Sequence, residues 1–536
     1  MNVHPGAVAG ATAHVDPFAR DRLPARSAWP TLLPAGLSYP DRLNAADALL
    51  SGGVAAAPCV HGDGFVWSYE ETRERAGRVA RVLVEEMGLV PGNRVLLHGL
   101  NTPALIACWL GILRAGGIVV ATMPLLRARE LVKVIAKAQV THALVEDALG
   151  VEVEAARAEQ PVLASVRPFS AVDGRDGKFE SVLTGADDVA LIAFTSGTTG
   201  EPKGCMHLHR DLLATCDTFG RHILRTEPDE VFSGTPPLAF TFGLGGHVLF
   251  PLRFGASTAP CAKPGPDAML EAIERHGITT LFTAPTGYRA MLGKLPAGSS
   301  ALASLRVCVS AGETLPASVS DAWFERTGIR IIDGIGSTEM LHIFIASRPE
   351  DAKPGSTGTA VPGYEAMIVD AKMNPLAPGE IGRLAVRGPT GCRYLDDPRQ
   401  STYVVEGWNL TGDAFRMDED GYFWFQARTD DMIVSSGYNI SGAEVESALL
   451  EHPAVGECAV VASPDPERGH VVKAFVVLAG GFSGDAALVA ELQEHVKARI
   501  APYKYPRRVE FLEALPRTPT GKVQRTRLRA MDRAGS

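Results

Sequence analysis

The sequence contains no closely spaced pair of cysteines. Its eight cysteines are scattered over 536 residues, with no CxxC pair and no spacing typical of metal ligands. Disulfide frameworks and zinc sites both need such patterns. We therefore expect reduced thiols, mostly buried, at these positions: Cys59, Cys108, Cys205, Cys216, Cys261, Cys308, Cys392 and Cys458.

An excess of basic residues is also lacking. The chain has 52 Lys and Arg against 61 Asp and Glu, which gives a formal net charge of -9 at pH 7. Nucleic-acid binding needs dense basic surfaces that displace condensed counterions. We therefore expect no nucleic-acid partner.

Long apolar runs are missing as well. The most apolar stretch, residues 104–126, is interrupted by Arg114 and by the pair Gly116-Gly117, whereas a membrane-spanning helix needs about 20 apolar residues. Polar residues also interrupt the N-terminal region, where a signal peptide would need an apolar core. These features predict a cytoplasmic protein with no membrane partner.

Alternating helix and strand patterns predict an α/β fold. Thr102 and Pro103 favour the start of a helix, the glycine pair ends it, and a β-branched run from Ile118 begins a strand. Residues 268–275, 279–282 and 288–292 repeat the alternation as helix, strand and helix. Parallel sheets flanked by helices are the expected result.

The length of the chain predicts more than one domain, since a typical domain has roughly 100–200 residues. A polar string at residues 428–431 marks the predicted boundary. We expect a large N-terminal domain of α/β subdomains with flanking helices at residues 1–429, whose Pro/Gly-rich first forty residues wrap the surface. A small mobile α+β domain is expected at residues 430–536.

The small domain carries its own helix and strand signals. Ser441 and Glu444 have the spacing of a capping box, in which each side chain satisfies a backbone donor of the other. A helix should therefore run from there to about His452. Strands at 458–462 and 471–478, an amphipathic helix at 486–500 and a last strand at 509–511 complete the prediction.

A strand-like run at residues 189–194 leads into ten residues rich in glycine and hydroxyl groups, and helix-compatible sequence follows from about His209. Glycines let backbone N–H groups turn inward, hydroxyls add donors, and Lys203 adds a positive charge, so the string suits phosphate binding. The spacing is not that of a Walker A motif, because Glu201 and Pro202 precede the lysine. A Gly/Ser/Thr turn alone is as often only a turn. The whole string is Thr195-Ser196-Gly197-Thr198-Thr199-Gly200-Glu201-Pro202-Lys203-Gly204.

This string resembles the phosphate loop of the acyl-adenylate-forming superfamily, which contains acyl-CoA synthetases, peptide-synthetase adenylation domains and luciferases. The resemblance covers nearly the whole chain, because further family motifs follow in order. In the family this loop holds the β and γ phosphates of ATP. The contacts it implies are Thr195, Ser196, Gly197, Thr198, Thr199 and Lys203.

Two further motifs are similar to those around the family's nucleotide. The turn Ser310-Ala311-Gly312-Glu313 is similar to the one beside adenine, although alone it would be an ordinary glycine turn. In the family's central motif, matched here by Asp333-Gly334-Ile335-Gly336-Ser337-Thr338-Glu339, the threonine meets the α-phosphate and the glutamate holds Mg2+. Carboxylate oxygen suits a hard cation, whereas a lone glutamate would be ordinary surface charge.

The ribose motifs follow. Residues 408–413 are similar to the family's ribose motif, in which Asp413 accepts hydrogen bonds from both ribose hydroxyls. Ala427 stands where the family has glycine before Arg428, which puts only the local backbone geometry in doubt. The arginine is present, so the resemblance implies its ribose contact.

The C-terminal motif at residues 516–522 resembles the one whose lysine, here Lys522, bridges the substrate carboxylate and the α-phosphate. Both reactants are anions, so positive charge at this point is the main catalytic need. The surrounding basic stretch is otherwise typical of a solvated face. Asp430 matches the hinge about which the family rotates its small domain, and Gly437 matches the loop that lines the coenzyme A tunnel.

The string GSTEMLHIF is similar to that of benzoate-CoA ligases and their 2-aminobenzoate relatives. Residues 13–20 and 205–211 are most similar to 2-aminobenzoate-CoA ligases. His342 and Thr241 suit an ortho-amino or hydroxyl group, although His342 alone would be read as a core imidazole with its hydrogen bonds satisfied. By family position the acyl pocket is lined by Phe240, Thr241, Phe242, Gly336, His342 and Ile343.

The resemblance implies that ATP and Mg2+ activate an aromatic carboxylate, 2-aminobenzoate or benzoate, as an acyl-AMP. Transfer to coenzyme A then gives aryl-CoA, AMP and pyrophosphate. One alternative is a free-standing enzyme that loads a carrier protein, although no carrier-like segment follows residue 529. Others are a luciferase-like oxygenase and a non-catalytic acyl-binding module; Lys203, Glu339, Asp413 and Lys522 together disfavour the module. Either a monomer or a homodimer fits.

Overall fold

The computed structural model describes residues 12–195, 202–296, 299–428, 431, 433–435, 438–465, 468–500, 502–518 and 521–534. Within them, the strands are β1 Pro58–Gly62, β2 Phe65–Ser68, β3 Arg94–His98, β4 Ile118–Thr122, β5 His142–Val145, β6 Ser165–Pro168, β7 Val189–Thr195, β8 Lys203–Leu208, β9 Val231–Gly234, β10 Ser257–Thr258, β11 Thr280–Thr283, β12 Val307–Ser310, β13 Ile332–Gly336, β14 Ile343–Ala346, β15 Thr359–Ala360, β16 Glu365–Val369, β17 Ile381–Arg387, β18 Val404–Val405, β19 Trp408–Met417, β20 Phe423–Arg428, β21 Ile433–Ser435, β22 Tyr438–Ile440, β23 Val455–Asp465, β24 Gly469–Leu478 and β25 Arg508–Phe511.

The α-helices of the described residues are α1 Phe18–Asp21, α2 Ala45–Leu50, α3 Tyr69–Arg81, α4 Pro103–Arg114, α5 Ala128–Ala138, α6 Gly150–Glu159, α7 His209–Thr215, α8 Thr241–Leu244, α9 Phe250–Arg253, α10 Pro266–His276, α11 Pro285–Leu292, α12 Ala317–Thr327, α13 Gln400–Tyr403, α14 Gly442–Leu450, α15 Ala486–Arg499 and α16 Arg525–Ala534. Helices α3, α7 and α8 continue as π-helix over Val82–Glu86, Cys216–Leu224 and Gly245–Leu249. In the described part of the chain, no helix is both long and apolar enough to cross a bilayer.

One sheet of the large domain has the order β6-β5-β3-β4-β7-β8 across the described residues, parallel except for the last pair. The predicted helix and strand of residues 104–126 are α4 and β4. The hydroxyl of Thr102 accepts from Leu105 N, Pro103 takes the first helical position, and Gly116 adopts a φ of 75° after the helix. Every residue of β4 is buried, as expected for a parallel strand covered on both faces.

A second sheet runs β15-β14-β13-β12-β11-β9-β10-β1-β2 among the residues described. Its centre, from β13 to β1, is parallel, and its edge strands are antiparallel. The predicted helix, strand and helix at 268–292 are α10, β11 and α11. Both sheets therefore confirm the α/β class.

Two features of the large domain were not predicted. Strands β16 to β20 form an antiparallel sheet that ends at Arg428. The N-terminal segment is integrated into the fold, since Gln400 Nε2 donates to Ala28 O at 2.8 Å and Thr31 N donates to Gly407 O at 2.8 Å. The N-terminal segment therefore packs against buried side chains as well as lying on the surface.

The small domain packs α14 and α15 against β23-β24-β25 and has its own hydrophobic core. The Ser441 hydroxyl accepts from Glu444 N at 3.2 Å, as predicted. The other half of the predicted capping box, a hydrogen bond from the backbone N–H of Ser441 to the Glu444 side chain, is wrong. Both Glu444 carboxylate oxygens accept instead from Lys504 Nζ at 2.6 Å. Helix α14 ends at Leu450, two residues earlier than expected.

The boundary at residues 429 and 430 lies outside the described residues and stays a prediction.

All eight cysteines lie within the described residues and are unpaired, and six of them are buried. The expectation of reduced, mostly buried thiols is therefore confirmed.

Candidate active site

The site begins at the carboxyl ends of parallel strands, where open α/β sheets bind ligands. Ser310 ends β12 and is paired in register with Asp333 on β13. Ser310 Oγ and Asp333 Oδ1 are buried, without a hydrogen-bond partner in the described part of the chain. Burial raises the pKa of Asp333 to about 7, although the backbone of Gly334 acts in the opposite direction. Such orphaned polar atoms suit a ligand that supplies hydrogen bonds, as an adenine does.

The two ends of the predicted phosphate loop are held together by strand pairing. Thr195 and Lys203 are partners across the antiparallel pair β7 and β8. Lys203 Nζ lies 5.3 Å from the centroid of the Tyr394 ring, in a cation–π contact. The predicted contacts Ser196, Gly197, Thr198 and Thr199 lie outside the described residues.

His207 connects the strand after this loop to the central motif. Its Nε2 atom is 2.8 Å from the carbonyl oxygen of Thr338 and donates to it. The imidazole is fully buried, so this bond fixes the backbone of Thr338 from the side of β8. Sequence reasoning did not assign His207 to the site.

Glu339 is buried, and the hydroxyl of Tyr394 donates to its Oε1 atom. Carboxylate oxygens are the ligands that a hard cation prefers, and a hydrogen bond from a neighbouring hydroxyl orients such a ligand. The residues therefore fit Mg2+. Tyr394 is a second site residue that the sequence did not reveal.

The two predicted ribose residues lie together. Asp413 and Arg428 face each other across β19 and β20, and Arg428 Nη1 donates to Asp413 Oδ1 at 2.8 Å. Burial raises the pKa of Asp413, while the charges of Arg428 and Lys522 act to lower it. The carboxylate therefore lies within the field of both cations.

Lys522 is exposed at the end of a tight turn. Thr518 N donates to Lys522 O at 2.8 Å, Lys522 N donates to Thr518 Oγ1 at 3.1 Å, and Gly521 has a φ of 84°. The positive charge of Lys522 acts on Asp413 and on Glu313, lowering the pKa of each against the effect of burial. The predicted lysine of the small domain therefore acts electrostatically on two predicted nucleotide-site residues of the large domain.

His342 lies in a cage of phenylalanine rings. Its ring centroid is 4.6 Å from that of Phe250, 5.3 Å from Phe219, 5.8 Å from Phe242 and 6.3 Å from Phe282. Neither ring nitrogen has a well-formed hydrogen bond in the described part of the chain. Burial lowers the pKa of His342 to about 3, although the nearby backbone of Phe242 favours protonation. The imidazole is neutral at pH 7.

The other predicted pocket residues surround this cage. Thr241 is buried at the start of α8, directly after the half-buried Phe240. Gly336 is paired with the buried Ile343, and a Cβ atom at Gly336 would lie 2.6 Å from the carbonyl oxygen of His342. This close approach explains the glycine.

Asp430 and Gly437, the predicted hinge and tunnel residues, lie outside the described residues.

Two surface cavities, of about 500 and 590 Å³, lie beside residues 32–43, and none of the predicted site residues lines them. The buried polar atoms at the ends of β12 and β13 therefore mark the site better than cavity volume does.

Comparison with known proteins identifies the family of the chain. Residues 52–393 match the model of the AMP-binding enzyme family, and residues 444–522 match that of the AMP-binding enzyme C-terminal domain. The chain is 35% identical to a benzoate–CoA ligase of Thauera aromatica, over 93% of this chain and 98% of the relative. It is also 35% identical to the human mitochondrial acyl-coenzyme A synthetase ACSM3, over 88% of this chain and 84% of the relative.

A solved structure is similar over almost the same length. The anthranilate CoA ligase AuaEII, crystallised with anthranoyl-AMP, superposes with a TM-score of 0.88 at 33% identity, covering 93% of this chain and 98% of that one. The chain uses ATP and CoA, and Mg2+ is the usual cofactor of the family. It belongs to the AMP-binding enzyme family and is an AMP-forming acid–CoA ligase.

Proposed function

We propose that this chain is an aryl-CoA ligase with 2-aminobenzoate as its preferred acid. The observation that carries the proposal is the neutral His342 imidazole, enclosed by four phenylalanine rings and without a well-formed hydrogen bond among the described residues. A flat aryl group is complementary to such walls. An ortho-amino group can donate to the lone pair of a neutral imidazole nitrogen.

In the first half-reaction a carboxylate oxygen attacks the α-phosphorus of ATP, and the bond to pyrophosphate breaks. Lys522 supplies positive charge where the two anions meet. Asp413 and Arg428 hold the ribose, and Ser310 and Asp333 bind the adenine. Glu339 would hold Mg2+, which would neutralise phosphate charge when bound.

In the second half-reaction the thiol of coenzyme A attacks the carbonyl carbon of the acyl-adenylate, and AMP leaves as the thioester forms. The thiol proton passes to solvent, and the phosphate of AMP takes the electron pair of the broken bond. Lys522 stands beside the same carbonyl in the first step. The small domain therefore has to move between the two steps.

The proposal is tested by measuring kcat/KM for 2-aminobenzoate, benzoate, 2-hydroxybenzoate, 4-aminobenzoate and octanoate, following AMP and thioester together. A site built to hydrogen-bond a substituent rejects the analogue lacking it by up to roughly 10^4, against roughly 10^2 for an apolar pocket. We expect 2-aminobenzoate to exceed benzoate by at least about 100-fold. His342→Leu should reduce that preference below about tenfold while benzoate turnover is retained. Thr241→Val measures the neighbouring hydroxyl separately.

Preference for octanoate over every aryl acid would overturn the aryl assignment. Equal kcat/KM for 2-aminobenzoate and benzoate in the unmodified protein would overturn the ortho-amino assignment alone. AMP release that requires a carrier protein in place of coenzyme A would contradict the ligase assignment itself.

A further inference from the structure

Arg517 lies between two carboxylates that belong to different domains. Its Nη2 atom is 2.7 Å from Glu457 Oε2 on β23 of the small domain. Its Nη1 atom is 3.9 Å from Glu313 Oε1, in the turn that follows β12 of the large domain. One guanidinium therefore connects the sheet of the small domain with the adenine side of the site.

The same guanidinium also holds the turn that carries Lys522. Arg517 Nη1 donates to the carbonyl oxygen of Gly521 at 2.6 Å, one residue before the lysine. A planar guanidinium can make several such contacts at once in fixed directions, which a lysine ammonium cannot reproduce. The position of the Lys522 backbone is thus linked to the position of both carboxylates.

Glu313 responds to the basic groups of the small domain. Burial raises its pKa, and the charges of Arg517, Lys522 and Arg525 act to lower it. The half-buried carboxylate of Glu313 therefore attracts these basic groups and stabilises the orientation of the small domain that is seen in the structure. It belongs to the turn beside Ser310, so this attraction acts at the edge of the nucleotide site.

A second contact between the domains lies one residue away from Glu457. Arg289 Nη1, on α11 of the large domain, donates to the carbonyl oxygen of Gly456 at 2.6 Å. The start of β23 therefore contacts the large domain directly through Gly456 and indirectly through Glu457 and Arg517. This edge of the small domain is therefore held to the large domain at two points.

We propose that Arg517 is a positioning residue for the first half-reaction, which bridges Glu313 and Glu457 and so places Lys522 at the reacting carboxylate. This inference rests on the proposed role of Lys522. The contacts of Arg517 with the two carboxylates are then made together while the adenylate forms, and the contact between the domains is broken while coenzyme A reacts. Loss of these contacts slows the first half-reaction selectively.

The test measures the two half-reactions separately in the full-length protein. The first is followed as pyrophosphate release without coenzyme A, and the second as thioester formation from a supplied 2-aminobenzoyl-adenylate. Arg517→Gln should slow the first by at least about tenfold and change the second by less than about twofold. Glu313→Gln should slow the first about threefold, and Arg517→Lys should lie between the Gln variant and the unmodified protein.

Arg527→Gln is the matched control, since Arg527 is an exposed arginine of α16 for which no ion pair is found in the described part of the chain. It should leave both rates unchanged. Lys522→Ala serves as the reference. If it slows the first half-reaction and Arg517→Gln does not, the positioning role is overturned while the proposed function stands. Equal losses in both half-reactions for Arg517→Gln would indicate a purely structural arginine, which also overturns the inference.

Discussion

The hydroxyl of Tyr394 donates a hydrogen bond to Oε1 of Glu339, and both groups are buried. The two residues come from different parts of the chain, 55 positions apart. Because the phenol is neutral, it orients the carboxylate without cancelling its charge. Burial and the negative charge of Glu339 both raise the pKa of Tyr394, so the hydroxyl keeps its proton at any working pH.

Tyr394→Phe should therefore raise the Mg2+ concentration needed for half-maximal adenylate formation by about tenfold, as loss of a hydrogen bond to a metal ligand commonly does. A Mg2+ titration of pyrophosphate release measures this. Tyr288→Phe is the control, because that buried hydroxyl donates to the backbone carbonyl oxygens of Leu281 and Val309. An unchanged Mg2+ dependence in Tyr394→Phe would contradict the role given to Glu339.

Lys522→Ala should slow adenylate formation by at least roughly a hundredfold, by analogy with the loss of one donor at a developing negative charge. Thioester formation from a supplied adenylate should change little, since the proposed role of the lysine precedes that step. Pre-steady-state measurement of each half-reaction checks this. A parallel fall in both rates would remove Lys522 from the first step.

His342 should make the stability of the protein depend on pH. Its pKa is lowered by burial to about 3 in the folded protein, from an ordinary value of 6.5. The unfolded chain therefore binds more protons between these two values. The stability associated with the neutral ring is complete above pH 6.5 and is lost as the pH falls towards 3.

Urea unfolding at pH 7 and pH 5 tests this. His342→Leu should reduce the loss of unfolding free energy between the two pH values by up to about 2 kcal/mol. The exposed His222 provides the control variant His222→Leu, which should retain the original pH dependence. The same pH dependence in the two variants would show that His342 is not held neutral by burial.

The buried ion pair of Arg393 and Asp211 should be important for stability. Arg393 Nη1 lies 2.7 Å from Asp211 Oδ2, and neither side chain is exposed. Arg393→Met should lower the free energy of unfolding by about 3–5 kcal/mol, because an uncompensated carboxylate remains in the core. Arg175→Met, which breaks the exposed pair with Glu86, should leave the free energy of unfolding nearly unchanged. Comparable losses in both variants would contradict this ranking.

Sequence patterns predicted those helices and strands whose ends are set by capping, proline or glycine residues beside them in the chain. Helix α4 and strand β4 follow directly from a threonine cap, a proline at the first helical position and a glycine pair. Strand β8, which pairs with β7, was not predicted, because its six residues, which include a histidine, show no clear period. The antiparallel sheet of β16 to β20 was not predicted either, because no clear period was recognised in its strands.

Contacts between distant residues account for the remaining differences. The spacing of Ser441 and Glu444 suggested a reciprocal cap, but Lys504, 60 residues further on, binds the glutamate instead. The family motifs assigned Asp413 and Arg428 to the ribose and Ser310 and Asp333 to the nucleotide, and the members of each pair are partners on neighbouring strands. Tyr394 and His207 were missed, because only the folded chain brings them to Glu339 and Thr338.

The pairing of Thr195 with Lys203 has a consequence for how the enzyme binds nucleotide. Closing a loop costs conformational entropy, and that cost arises when its two ends are brought together. Here the ends meet when β7 and β8 pair, so the cost belongs to folding and is absent from the free energy of ATP binding. Substitutions that weaken β7–β8 pairing would therefore lower the affinity for ATP without touching a phosphate.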